Sequence, residues 1–160
     1  MPELNRTIIA ALADRYSQNA RRIHELAEPL IDTQFWQKPF PFGNSFGHLV
    51  LHLTGNLNYY IGAQIAKTGY VRDRPREFNE ATPPSKEETF KRFDDAVDMV
   101  LKTVHGQSDE EWSQPYSGAG TDAKTRLEIV MICAAHLQLH IGQMIYLCYK
   151  LKRQADTGLG

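Results

Sequence analysis

Apolar residues in this chain recur at intervals of three, four and seven, and that habit constrains the fold more than any other feature. Such spacing lines side chains up along one stripe of a 3.6-residue helix. From about Leu4 to Ala27 the stripe carries Ile8, Leu12, Tyr16, Ile23 and Leu26, and Pro29 opposes its extension. A second helix is expected from an N-cap at Asn44 or Ser45 to about Lys67, with Thr68-Gly69 as its stop. Ser85-Lys86-Glu87-Glu88 has the capping-box form and opens a third helix. That helix carries Phe90, Phe93, Val97, Val100 and Leu101 on one face and ends near Gly106. A long fourth helix is expected from about Asp122 to Arg153, where Lys150, Lys152 and Arg153 suit the C-terminal dipole. No alternating apolar–polar run lies between Asn-Gly or Asp-Gly turns. The expected class is all-α.

The connections carry their own punctuation. Asp32 to Pro39 reads as a short helical turn, closed by Pro39-Phe40-Pro41-Phe42-Gly43. Val71 to Pro84, with charged side chains ahead of Phe78 and prolines at its end, reads as a loop. Ser108 to Trp112 is a second short capped turn, and Ser117-Gly118-Ala119-Gly120 a flexible break. Trp36-Gln37-Lys38-Pro39 and Trp112-Ser113-Gln114-Pro115 share a W-x-x-P form. Each precedes a histidine-bearing helix, which suggests two similar halves packed as a four-helix bundle.

Composition bounds what such a bundle does. The 160 residues are 42% hydrophobic, enough for one domain spanning 1–160 with a real core. Eighteen Lys+Arg against nineteen Asp+Glu leave a formal charge of −1, which argues against broad phosphate-backbone binding and hence against a nucleic-acid partner. The N-terminus lacks a basic stretch followed by an apolar run, and no segment presents about 20 uncharged apolar residues. A cytoplasmic protein with no membrane partner is expected. Cys133 and Cys148 share the fourth helix, about 22 Å apart at 1.5 Å per residue, so they cannot pair and read as packed thiols.

Two of the histidine spacings carry chemistry. His48/His52 and His136/His140 are i,i+4 pairs on predicted helices, one turn apart on a shared face. On the helical wheel His136 and His140 fall within the arc of Val130, Cys133, Leu137, Ile141, Met144 and Leu151. Imidazoles on an apolar face need partners. His52 flanks the apolar arc of the second helix beside Asn56, whereas His48 lies nearly opposite and is expected to meet solvent or a partner. Three neutral imidazoles suit Zn²⁺, Ni²⁺, Fe²⁺ or Cu²⁺ rather than Mg²⁺ or Ca²⁺, and three protein ligands leave a position open. Asn56, Tyr60 and Gln143 lie about one turn from these histidines and are candidate ligand or substrate contacts. No Ser/His/Asp series and no phosphate-binding Gly-rich loop is present.

The segment Asn44-Ser45-Phe46-Gly47-His48-Leu49-Val50-Leu51-His52-Leu53-Thr54-Gly55-Asn56-Leu57 resembles the second-helix signature of the DinB/YfiT-like family. His136-Leu137-Gln138-Leu139-His140-Ile141-Gly142-Gln143 is similar to that family's fourth-helix H-x-x-x-H-x-G-Q motif. The resemblance covers nearly the whole chain and selects His52, His136 and His140 as a metal triad, with zinc or nickel foremost. It leaves His48 as a supporting group, a surface residue or a rival ligand. It implies a four-helix bundle, usually dimeric, with a metal facing a pocket. It further implies a metal-dependent enzyme, a transferase that uses a low-molecular-weight thiol against a small electrophile. The metal would lower the thiol's pKa. A hydrolase using metal-activated water is a rival mechanism. The alternative function is a non-catalytic metal- or small-molecule-binding protein of a stress response. The fourth helix is apolar nearly all round, with Ile132, Leu139 and Tyr146 outside the core arc, so a homodimer through it is expected.

Overall fold

The computed structural model describes residues 3–80 and 82–158. It contains seven α-helices among those residues: α1 (Glu3–Ala27), α2 (Asp32–Trp36), α3 (Phe46–Leu57), α4 (Arg76–Asn79), α5 (Lys86–His105), α6 (Asp109–Trp112) and α7 (Arg126–Thr157). A π-helical stretch, Asn58–Ala66, continues α3 without a break. The four long elements form the bundle. α1 lies against α5 and α7, and α3 with its π extension lies against α5 and α7.

The expected stripes build the interior. Tyr16 and Ile23 of α1, Phe46, Leu53 and Leu57 of α3, Phe93 and Val100 of α5, and Leu137 and Met144 of α7 are fully buried. Three polar groups on α1 cross the core and are satisfied there, as buried polar groups must be. Tyr16 donates its hydroxyl to the Val130 carbonyl at 2.7 Å. The Asn19 amide donates to the Ala134 carbonyl at 3.3 Å. Asn5 donates to the Gln107 carbonyl and accepts the Trp112 indole N–H at 2.8 Å.

Caps mark the starts. Ser45, Ser85, Ser108 and Thr125 each accept a backbone N–H from three residues downstream. The fourth helix thus begins at Arg126, four residues later than expected, because the chain up to its cap at Thr125 is tied to the segment around Pro115 instead. An isolated bridge joins Pro115 to Thr125, with Tyr116 N donating to Lys124 O and Arg126 N to Gln114 O. α7 also runs on past Arg153 to Thr157, where Gly158 turns left-handed.

The second helix ends where expected: its last helical residue is Ala66, Lys67 caps it in the left-handed conformation, φ 57°, and Thr68 N donates to Gly62 O. Two expectations about connections are corrected. The loop Val71 to Pro84 contains α4, which seats Glu77 in the interior. The break at Ser117–Gly120 is pinned to the π stretch: Tyr60 donates to the Gly120 carbonyl at 3.0 Å, and Tyr116 donates to the Tyr60 carbonyl at 3.0 Å. The two W-x-x-P tryptophans close the short helices α2 and α6 but do different work. Trp36 covers α3 at Gly47, where a methyl group would come within 2.6 Å of its ring, while Trp112 ties α6 to α1.

By length and mean hydropathy α7 is apolar enough to cross a membrane, its best 18-residue window averaging 1.4. The count of uncharged apolar residues missed this because His, Gln and Gly interrupt an otherwise very apolar run. Here α7 supplies buried Leu137, Ile141, Met144 and Leu147 to the bundle.

Candidate metal centre

The i,i+4 spacing on α7 sets the His136 and His140 rings side by side, their centroids 4.5 Å apart. α3 crosses α7 at this level and brings in His52, at 5.1 Å from His136 and 5.0 Å from His140, nearly edge-on to both. One nitrogen from each ring lies within 4.8 Å of the others. The His136 Nε2 sits 3.3 Å from His52 Nε2 and 2.9 Å from His140 Nε2.

The outer nitrogens decide what these inner ones carry. His52 Nδ1 meets the Glu77 carboxylate at 2.9 Å, and His140 Nδ1 meets the Gln143 side-chain oxygen at 2.7 Å. At each Nδ1 the nearest partner is an acceptor, closer than the Arg72 guanidinium at 3.4 Å from His52 Nδ1, so both Nδ1 atoms carry the proton and both Nε2 atoms present lone pairs. His136 Nε2 stands between two lone pairs and holds at most one proton. At least one inner lone pair therefore faces no donor. The His136 Nδ1 is buried and has no partner either. Such a set of inward lone pairs is what a divalent cation satisfies, and the nitrogen-only donor set fits a zinc- or nickel-class ion. The residues fit the divalent metal that the resemblance implies.

The surroundings favour the neutral forms of His136 and His140. Burial, then the positive charge of His140, His52, Arg72 and Arg74, lowers His136 to about 4. Burial likewise lowers His140, against a smaller upward pull from its bond to Gln143. Glu77 is the opposite case. Burial raises it, but its hydrogen bonds to His52 and Arg72 outweigh that and hold the carboxyl below its ordinary range. Arg72 grips the carboxylate with two nitrogens, at 2.6 and 2.9 Å. Glu77 reaches His52 over Gly55, where a methyl group would overlap Glu77 Oε1.

Beside the triad opens a cleft of about 560 Å³, lined by His52, Asn56, Tyr60, Arg72, Arg74 and His136 among others. Asn56 and Tyr60, expected near the site, lie in its wall, and Gln143 holds His140. Cys133 also lines the cleft, but burial pushes its thiol up to about 12, which leaves it a packed thiol rather than a nucleophile. Cys148 is free as well.

His48 corrects the wheel. It does not face solvent: it is 8% exposed, its ring edge-on to Trp36 at 5.3 Å, with Nδ1 at 2.6 Å from the Ser45 hydroxyl. The wheel sorted α3 by its own apolar arc, whereas α2 folds back over the opposite face and buries that too. His48 touches none of the triad nitrogens. Conversely, Arg72 and Glu77 escaped sequence reasoning because charged residues in a proline-flanked segment look solvated. Their one local signal is the i,i+5 Arg–Glu pair ahead of the apolar Phe78, whose ring packs 5.0 Å from His52.

Among curated proteins none matches the chain. A crystal structure of a conserved protein from Enterococcus faecalis is similar over 89% of this chain and 95% of that one, with a TM-score of 0.73 at 15% sequence identity, a likeness of fold. The family model described as the DinB superfamily matches residues 15–144. The match spans most of the chain and takes in His52, His136 and His140, and the chain belongs to the DinB superfamily.

Proposed function

We propose that this protein is a divalent-metal-dependent enzyme acting on a small molecule in the cleft beside His52, His136 and His140. The observation that carries the reading is the convergence of three imidazole nitrogens, two of them oriented by Glu77 and Gln143, at the wall of an open cleft. His52, His136 and His140 would hold a zinc- or nickel-class ion. When bound, such an ion supplies Lewis acidity and lowers the pKa of a coordinated thiol or water. The chain's own groups do the rest. Glu77 and Gln143 fix the ring orientations, Tyr60 and its bond to Gly120 hold the cleft wall, and Arg72 keeps Glu77 charged. The cleft's thiol, Cys133, is held protonated and is not an activated nucleophile. That favours a reaction in which the nucleophile is brought by a second small molecule, as in a thiol-dependent S-transferase acting on small electrophiles.

Elemental analysis of untagged wild type beside His140→Ala tests this first. About one zinc- or nickel-class ion per chain, lost in the variant, supports the site, and a screen of low-molecular-weight thiols against small electrophiles then tests turnover. Metal without turnover of any pair would favour the alternative, a binding protein. No metal in either form, with no uptake on adding Zn²⁺ or Ni²⁺, overturns the reading. We also propose a homodimer through α7, whose Ile132, Leu139, Tyr146 and Tyr149 are exposed. Light scattering of wild type against Leu139→Glu checks it, a dimer becoming a monomer.

A further inference from the structure

The cleft holds two groups that the triad does not use. Arg74 lines it, and its guanidinium has no carboxylate partner among the described residues, whereas the neighbouring Arg72 is fully engaged by Glu77. No Asp or Glu lines the cleft at all. The second group is Asn56. Its residue is 7% exposed, it forms part of the same wall, and its Oδ1 is buried with no donor. A buried acceptor left unpaired is costly, and a molecule bound against this wall can supply the missing donor.

We propose that this cleft is an anion subsite. Arg74 takes the carboxylate of a small ligand, and Asn56 Oδ1 accepts an N–H or O–H from the same molecule. This rests on the reading above that substrate occupies the cleft, and it adds the class of substrate: a carboxylate with a neighbouring hydrogen-bond donor. The planar guanidinium fork matches a carboxylate in two parallel hydrogen bonds. A wall of arginines and imidazoles without an acidic residue repels cations and leaves an anion uncontested. The space suits a small molecule. The carboxylate could belong to the thiol or to the electrophile, and the experiment separates these.

The probes are N-acetylcysteine and its uncharged amide, titrated calorimetrically into zinc-loaded wild type, Arg74→Gln and Asn56→Leu. Succinate and succinamide are titrated into chelator-treated protein. The acid should bind wild type about tenfold more tightly than the amide, the scale of one charge-assisted contact. That ratio should fall to near one in Arg74→Gln, and Asn56→Leu should weaken both thiols alike. Succinate should bind metal-free wild type better than succinamide and lose that advantage in Arg74→Gln. Succinate that displaces N-acetylcysteine amide assigns the carboxylate to the thiol. Succinate that binds alongside it assigns the carboxylate to the electrophile. Equal affinities of acid and amide, or a ratio that Arg74→Gln leaves unmoved, would overturn the proposal. Arg74 is exposed, so its replacement leaves the bundle intact. Should the protein take up no zinc and bind neither thiol, the enzyme reading fails, and the succinate titration still decides the subsite.

Discussion

At the scale of single residues, the centre depends on groups beyond its three imidazoles. Glu77 holds the His52 tautomer, and Arg72 holds Glu77 ionised. Partners of this kind are worth about 10–100-fold in metal affinity. Glu77→Gln should therefore weaken zinc binding by that range in competition with a chromophoric chelator, while far-ultraviolet circular dichroism keeps its helical signal. Arg72→Gln should cost less, since the carboxylate still reaches His52. The rings also set a pH dependence. His136 falls to about 4 from an ordinary 6.5, and His140 shifts the same way. Across that interval the unfolded chain binds more protons than the folded one, so stability rises with pH there. The contribution of the neutral rings is full above about pH 6.5 and is lost as the pH falls towards 4. Glu77, with its folded value depressed, adds a second loss below its ordinary 4.5. Denaturation midpoints of metal-free protein measured from pH 8 to 4 should be level at the top and fall below 6.5. A flat profile to pH 5 would show that the rings are not buried as described.

At the scale of elements, the long helices were legible and the joints between them were not. Periodicity located α1, α3, α5 and α7 because each must bury one stripe, and serine caps marked two of the starts. The joints rest on long-range contacts that leave no local period. Lys86 shows the difference. In sequence it is one residue of a capping box. In the fold its ammonium reaches across to the end of α1 and donates to the carbonyls of Ala27 and Leu30, each at 2.6 Å. The last carbonyls of a helix lack partners within it, so a side chain from another element completes this one. Lys86→Met keeps helix propensity and much of the apolar stem. It should still destabilise by about 1–3 kcal/mol in urea unfolding, because half-buried carbonyls lose a charged donor. The π stretch was equally hidden. Nothing in Asn58–Ala66 breaks an α pattern, yet the wider turn carries Tyr60, whose hydroxyl fastens the loop at Gly120 to the cleft.

At the scale of the whole molecule, the core and the centre are separable. The interior of Phe46, Phe93, Leu137 and Met144, with the Tyr16 hydroxyl satisfied by the Val130 carbonyl, is closed without the triad. The bundle should therefore fold with its histidines empty, unlike small domains whose core is the metal site. That separation explains what the sequence could and could not reveal of the centre. His136 and His140 announce themselves as polar residues on an apolar stripe of one helix. His52 joins them only through the crossing of α3 over α7, and the resemblance of two motifs to a known family supplied what spacing alone left open. His48 had the same local spacing as His52; the wheel and the resemblance separated the two, and the cover of α2 over α3 accounts for the burial of His48. Because a cation would bind the folded triad and not the scattered histidines of the unfolded chain, it should stabilise by mass action, by about 2.7 kcal/mol at a free concentration of 100 times Kd. For a domain of this size that is a rise in Tm of about 5–10 °C. Differential scanning calorimetry with Zn²⁺ and then with excess chelator should show this rise and its reversal in wild type. In His136→Ala/His140→Ala the two traces should coincide, at a Tm close to that of metal-free wild type. If the chelator unfolds wild type outright, the core depends on the centre after all, and the bundle and its metal fold as one unit.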